Sequence, residues 1–216
     1  VYSTTHAQKV FTRPGALATM HRLNAAAATD LGLDEFDDVS DACAIDVCVE
    51  DGDVISVGPM NLRVIATPGH TRDTLSFHDE HFGLTIVSET IGLFSSTNGR
   101  EFDPDAPEDI TMSITSTFLV SYEQALESID RLSALDNKAL WTPHYSKVFV
   151  GPAIDQFFQA ARHHIVFLHD LILKLHDEGL SKDEILERLR ERYYIGRNPS
   201  YQPEPAFELN TSITVN

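Results

Sequence analysis

Three residues that could bind a metal or move a proton stand where the sequence predicts the end of a strand. His70 follows a buried-strand pattern at 64–66 and a strand-stopping Pro-Gly pair. Glu89 comes after a predicted hairpin, and His144 after a short predicted strand at 138–141. A loop between rigid strands is a common way to present a metal ligand or a general base. Each residue alone also fits a solvent-facing side chain.

Together, the three residues favour a metal site. Imidazole and carboxylate groups gathered on one edge of a sheet are the ligands that a metal-dependent hydrolase needs. A carboxylate can bridge two metals about 3.5–4 Å apart. The sequence therefore predicts that His70, Glu89 and His144 share one sheet edge.

Strand and helix patterns alternate along the chain, which predicts an α/β fold. Hydrophobic alternation predicts a hairpin over 74–88, and a capping box predicts a helix over 121–135. The longest helix is expected to begin at Pro152, which follows Gly151. A second capping box, at Ser181, predicts the start of the last helix. The interval 91–120 is rich in Ser, Thr, Pro and Asp and is predicted to be a lid or binding segment.

Charge and composition exclude several classes of protein. The 216 residues include 16 Lys+Arg and 33 Asp+Glu, a formal charge of −17, which argues against nucleic acid or a membrane surface as partner. No apolar run approaches the roughly 20 residues of a membrane span. Cys43 and Cys48 are predicted to be reduced thiols, so a cytoplasmic location is expected.

Three short strings carry a resemblance to a known family. Thr-Pro-Gly-His-Thr at 67–71, Ser-Glu-Thr at 88–90 and Thr-Pro-His at 142–144 resemble the second half of the metallo-β-lactamase fold superfamily. In that superfamily the first histidine binds one metal, an aspartate after the next hairpin bridges both metals, and a late histidine binds the second metal.

The resemblance implies a fold, a metal content and an activity. The expected fold is the C-terminal half of an αββα sandwich over 1–150, with a helical extension over 151–216 packing on it. His70, Glu89 and His144 are then the expected ligands of two divalent metal ions, zinc first and iron or manganese as alternatives. The expected activity is hydrolysis of an ester, thioester or lactone through a metal-bound hydroxide. Tyr145 is a candidate oxyanion donor or substrate contact, although it could equally pack on the sheet.

Three departures from the superfamily pattern shape these expectations. Glu89 stands where the superfamily has aspartate, and Asp73-Thr74 replaces the usual Gly-Ser. The H-x-H-x-D-H motif, which supplies most of the metal ligands, is absent from the 216 residues. We therefore expect an incomplete chain whose other ligands come from a further segment, from a partner or from a homo-oligomer. The alternative is a non-catalytic binding or regulatory protein without a full metal site.

The remaining histidines are not predicted to bind metal. The helical histidines after residue 160 include no pair with the i, i+4 spacing that lets a helix clamp one ion. His78 and His81 flank the turn of the predicted hairpin, and both are predicted to be exposed.

Overall fold

The structure, a computed structural model, describes residues 1–30, 32–33, 44–92, 120–143, 148–191, 211 and 215. The chain forms two compact units, Val1–Asp53 and Val54–Asn216. The helices are α1 Thr5–Phe11, α2 Ala16–Asp30, α3 Tyr122–Ser133, α4 Pro152–Asp177 and α5 Lys182–Arg190. The strands are β1 Tyr2–Ser3, β2 Val47–Cys48, β3 Val54–Val57, β4 Met60–Ala66, β5 Leu75–Asp79, β6 Leu84–Ile86, β7 Ala139–Trp141 and β8 Val148–Val150.

The first unit contains α1, α2 and a small two-stranded sheet. Strands β1 and β2 pair in parallel, with Tyr2 opposite Val47. The hydroxyl of Thr4 caps α1 by accepting a hydrogen bond from the Ala7 N–H group at 3.0 Å. None of the predicted site residues lies in this unit.

The second unit contains a six-stranded sheet in the order β3-β4-β5-β6-β7-β8. All neighbouring strands are antiparallel except β6 and β7, which are parallel. A parallel pair needs a crossover connection, and α3 lies in the chain between these two strands. Because β4 and β6 are both antiparallel to β5, strands β4, β6 and β7 all run in the same direction. Their C-terminal ends therefore meet at one edge of the sheet.

The main hydrophobic core lies between this sheet and the helices α3 and α4. Alternate residues of the strands point towards these helices, as expected for a half-buried sheet. The amphipathic stripe of α4 supplies the largest fully buried side chain, Phe157, whose ring centroid lies 4.8 Å from that of Phe149 on β8. The core residues are Ile65, Val87, Ile91, Ala125, Ile129, Leu132, Leu140, Phe149, Ile154, Phe157, Phe158, Ala160, Ala161 and Ile165.

The second face of the sheet is also apolar. One row of paired residues crosses five strands, from Val64 through Phe77, Ile86 and Trp141 to Val148. Val64 is fully buried, whereas Trp141 is 42% and Val148 48% exposed. An apolar face of this kind fits a sheet that forms one layer of a sandwich.

Several sequence predictions fall within the described residues. The hairpin forms as β5 and β6, and the helix predicted over 121–135 is α3. Helix α4 follows the predicted domain boundary at 150 and packs on β8 and α3; the boundary itself stays a prediction. Most of the interval 91–120, with the predicted lid, lies outside the described residues. None of the described helices is both long and apolar enough to cross a membrane.

Candidate functional site

His70 lies in a loop that leaves the C-terminal end of β4. Four consecutive carbonyl groups at 66–69 each accept a hydrogen bond from a different donor. Arg131 Nη1 donates to the first at 3.3 Å and the Thr90 hydroxyl to the second at 2.6 Å. The Ser128 hydroxyl donates to the third at 2.7 Å, and the Val120 N–H group to the fourth at 3.3 Å. The loop backbone before His70 is therefore held at every residue.

Gly69 is required by the close approach of α3. Its φ of +140° lies in a region that side chains rarely adopt. A Cβ atom at Gly69 would stand 2.7 Å from both Cα and Cβ of Ala125 and 2.9 Å from its backbone nitrogen. Only glycine lets the loop lie against the helix here, which gives the glycine of the Thr-Pro-Gly-His-Thr string a structural reason.

The residues after His70 form a tight hydrogen-bonded turn. The Thr71 N–H group donates to Thr74 Oγ1 at 3.1 Å, and the Thr71 hydroxyl donates to Asp73 Oδ1 at 2.8 Å. The two threonine hydroxyls are also 2.7 Å apart. Asp73 and Thr74, which depart from the superfamily pattern, thus close the loop through their own side chains.

Glu89 begins a short 3₁₀ turn, Glu89–Ile91, that follows β6. The backbone of Ser88 before it is extended, and its side chain makes no capping hydrogen bond to the turn. Ser88 Oγ instead lies 3.1 Å from Thr67 Oγ1. The turn is therefore tied to the β4 end rather than capped by its own first residue.

The structure brings His70 and Glu89 into direct contact. His70 Nε2 lies 2.8 Å from Glu89 Oε2, and the two side chains are 19% and 33% exposed. The His70 imidazole and the Glu89 carboxylate therefore remain partly accessible to solvent.

His144 and Tyr145 lie outside the described residues. The preceding residues, Thr142 and Pro143, are described and follow β7. Because β7 runs parallel to β6, this segment leaves the sheet at the same edge as the Glu89 turn. The roles assigned to His144 and Tyr145 stay predictions.

The donor types fit a divalent metal, but the described residues do not complete a site. An imidazole and a carboxylate at one sheet edge are suitable ligands for zinc, iron or manganese. A catalytic zinc usually has three protein ligands. No group of three His, Cys, Asp or Glu side chains suited to a metal occurs among the residues that the structure describes.

A set of buried hydroxyl groups around the site was missed by the sequence analysis. Thr67 and Ser76 are fully buried, and Thr90 and Ser128 are 2% and 3% exposed. The sequence signal was weak: Ser76 is a polar residue in a predicted strand, and it lies opposite Ile65 on the face of the sheet that packs against the helices, where an apolar residue is usual.

His78 is buried, with 2% exposure, so the prediction that it is exposed is wrong. The hairpin pairs His78 with Thr85 on the side of the sheet that faces the core. Burial lowers the pKa of His78, and the Arg63 guanidinium lowers it further. The prediction for His81 is confirmed, because that residue is exposed.

The hydrogen bonds around His78 assign its protonated nitrogen. The Asn137 amide donates to the carbonyls of Leu132 at 2.9 Å and Leu135 at 3.1 Å, which leaves its oxygen facing Thr85. The Thr85 hydroxyl donates to that oxygen. His78 Nδ1, 2.8 Å from the Thr85 oxygen, must therefore be the donor of their hydrogen bond. This histidine links β5 and β6 to the end of α3.

Comparisons with known proteins bear on the fold. No family model matches the sequence. A metallo-beta-lactamase family protein of Thermus thermophilus superposes with a TM-score of 0.56 at 17% identity, covering 100% of this chain and 65% of that one. A beta-lactamase domain protein of Burkholderia ambifaria gives 0.54 at 17% identity, covering 99% and 57%. The chain has the metallo-β-lactamase fold. This confirms the expected fold class.

Curated relatives of this metallo-β-lactamase-fold chain match it over a shorter stretch. The hydroxyacylglutathione hydrolase of Rhodopseudomonas palustris (strain BisB5) is 41% identical over 63 residues, 29% of this chain and 24% of that protein. The protein of the same name from Maricaulis maris (strain MCS10) is 44% identical over 55 residues, 26% and 21% of the two chains. The matches thus span about a quarter of the length of these relatives.

Proposed function

We propose that this chain is part of a metal-dependent hydrolase that cleaves an ester, thioester or lactone. The observation that carries the proposal is the contact of His70 Nε2 with Glu89 Oε2 at 2.8 Å, at the sheet edge where β4 and β6 end. Both side chains are partly exposed, and the residues before and after Glu89 are hydrogen-bonded to Thr67 at the base of the His70 loop.

His70, Glu89 and His144 would hold the metal ions, with the remaining ligands supplied by protein outside this sequence. Zinc is the first candidate, and iron and manganese are the alternatives. When bound, such a metal activates water and polarises the carbonyl group of the substrate. Within this chain, the 2.8 Å contact between His70 Nε2 and Glu89 Oε2 places the imidazole and the carboxylate side by side. The proposed role of Tyr145 is to contact the carbonyl oxygen of the substrate.

A thioester is the favoured substrate class. The support is the local identity of 41% to a hydroxyacylglutathione hydrolase, whose substrate by name is a thioester of glutathione. The local match covers 24% of that relative, so the substrate belongs to the proposal. A cytoplasmic location and homo-oligomer formation remain predictions.

The test has two steps: Zn²⁺ binding by the purified chain, and hydrolysis of an S-hydroxyacyl-glutathione by a protein that also supplies the further ligands, followed by ultraviolet absorbance of the thioester. We expect turnover that EDTA abolishes and that His70→Ala and Glu89→Gln reduce, while the matched surface variant His176→Ala leaves it unchanged. His176 is the control because its side chain is 76% exposed on α4. Metal binding through His70 without turnover identifies a site that needs its further ligands.

The alternative is a non-catalytic binding or regulatory protein. The described residues, which do not include His144, contain no group of three metal-ligating side chains, and this alternative needs none. Absence of both turnover and His70-dependent metal binding supports this alternative and refutes the hydrolase.

A further inference from the structure

The residues on both sides of Glu89 are hydrogen-bonded to the same threonine. Ser88 Oγ lies 3.1 Å from Thr67 Oγ1, and the Thr90 hydroxyl donates to the Thr67 carbonyl at 2.6 Å. Thr67 itself stands three residues before His70. Glu89 is therefore held between two residues that both contact the base of the His70 loop.

A fourth hydroxyl joins this arrangement from β5. Ser76 Oγ lies 3.0 Å from Thr67 Oγ1 and accepts a hydrogen bond from the Ser88 N–H group at 3.2 Å. The Thr67 N–H group donates to the Thr74 carbonyl at 2.9 Å. We call Thr67, Ser76, Ser88 and Thr90 the Thr67 clamp. It joins the ends of β4 and β6 through the start of β5.

The clamp uses hydroxyl groups in a place where they are costly. Thr67 and Ser76 are fully buried, and a buried hydroxyl is destabilising unless its hydrogen bonds are satisfied. Ser88 occupies the position that usually caps the following turn, yet its hydroxyl contacts Thr67 instead. These choices fix the Glu89 turn relative to the His70 loop more tightly than apolar packing alone, because hydrogen bonds are directional.

We propose that the Thr67 clamp sets the separation of His70 and Glu89, with Thr67 as the positioning residue. This inference rests on the proposed function for its consequence, since a metal site tolerates only about 0.5 Å of displacement in its ligands. The contact of His70 with Glu89 does not itself depend on a metal, so the positioning role can be measured without one.

The central variant is Thr67→Val, which keeps the branched shape and removes the hydroxyl. Thr67→Ser restores the hydroxyl and is the conservative rescue. Thr85→Val is the matched control, because Thr85 is also a fully buried threonine of this unit and its hydroxyl donates to Asn137. Ser88→Ala is a second variant of the clamp at a half-buried position, for use if Thr67→Val does not fold.

The first readout is the NMR signal of the His70 imidazole in the metal-free chain. Glu89→Gln supplies the reference position for an imidazole that has lost its carboxylate partner. We expect Thr67→Val and Ser88→Ala to move the His70 signals towards that reference, and Thr67→Ser and Thr85→Val to keep the wild-type position. Unmoved signals in folded Thr67→Val and Ser88→Ala overturn the proposal, as does an equal movement in Thr85→Val.

The second readout is the affinity of the full chain for Zn²⁺, measured by calorimetry. We expect Thr67→Val to weaken binding by about 10-fold, the lower end of what supporting hydrogen bonds around metal ligands contribute, with Thr67→Ser and Thr85→Val near wild type. If the wild-type chain binds no zinc, the proposed function fails, while the imidazole signals still decide the positioning role.

Discussion

Replacement of Gly69 by alanine tests the idea that α3 fixes the loop of His70. The new Cβ atom would lie 2.7 Å from Ala125 Cα and Cβ. Two of the three close contacts, with Cα and the nitrogen at 2.9 Å, involve the helix backbone, which cannot rotate away. The added methyl group must therefore displace either the loop or α3.

The expected loss of unfolding free energy in Gly69→Ala has two parts. A side chain at a φ of +140° brings backbone strain of about 1–3 kcal/mol. Forcing an extra methyl group into a packed contact adds about 1–3 kcal/mol. Gly69→Ala should thus lower the free energy of unfolding by about 2–6 kcal/mol. Gly58→Ala separates the two parts, because Gly58 has a φ of +58° and a Cβ atom added there would have no neighbouring atom within 4 Å; its cost should be about 1–2 kcal/mol.

The assay is urea unfolding followed by the fluorescence of Trp141, the one tryptophan of the chain, which lies in the same compact unit as Gly69. The double variant Gly69→Ala/Ala125→Gly should recover little stability, because it removes the Ala125 methyl group and keeps its backbone. A Gly69→Ala cost equal to that of Gly58→Ala, or full recovery in the double variant, refutes the close-contact reasoning.

Three further predictions concern buried polar groups. Burial lowers the pKa of His78, so the unfolded chain binds more protons than the folded chain and stability falls as pH drops below about 6.5. His78→Asn should therefore make the urea midpoint depend less on pH between about pH 7 and pH 5. The Phe82 N–H group lowers the pKa of Asp79, so the stabilisation by this carboxylate is present above about pH 4 and lost below it. Asp79→Asn should therefore reduce the fall of the urea midpoint measured below about pH 4. Ser128→Ala leaves a loop carbonyl without its donor and should cost about 1–3 kcal/mol in urea unfolding, against less than about 0.5 kcal/mol for the exposed Ser133→Ala on the same helix.

Local signals in the sequence predicted where several helices and strands begin and end. The capping box at Ser181 and Glu184 forms as expected at the start of α5, with both reciprocal hydrogen bonds present. The Pro-Gly pair ends β4 just before His70, as predicted. These features depend on a few neighbouring residues, and their hydrogen bonds are made within one short segment.

Contacts between strands were harder to predict. The burial of His78 depends on the register of β5 against β6, and a shift of one residue would move it to the other face. The Thr67 clamp depends on three segments meeting, which no local pattern encodes. The approach of Glu89 to His70 was expected from the resemblance to a family, whereas the residues alone indicated only a shared sheet edge.

The central claim is that His70 and Glu89 belong to a metal site, and equilibrium dialysis of the chain against Zn²⁺ tests it most directly. We predict saturable binding that is lost in His70→Ala and Glu89→Ala and retained in the surface variant His176→Ala. Zinc binding that is absent in the wild-type chain, or that persists unchanged in His70→Ala, would contradict it.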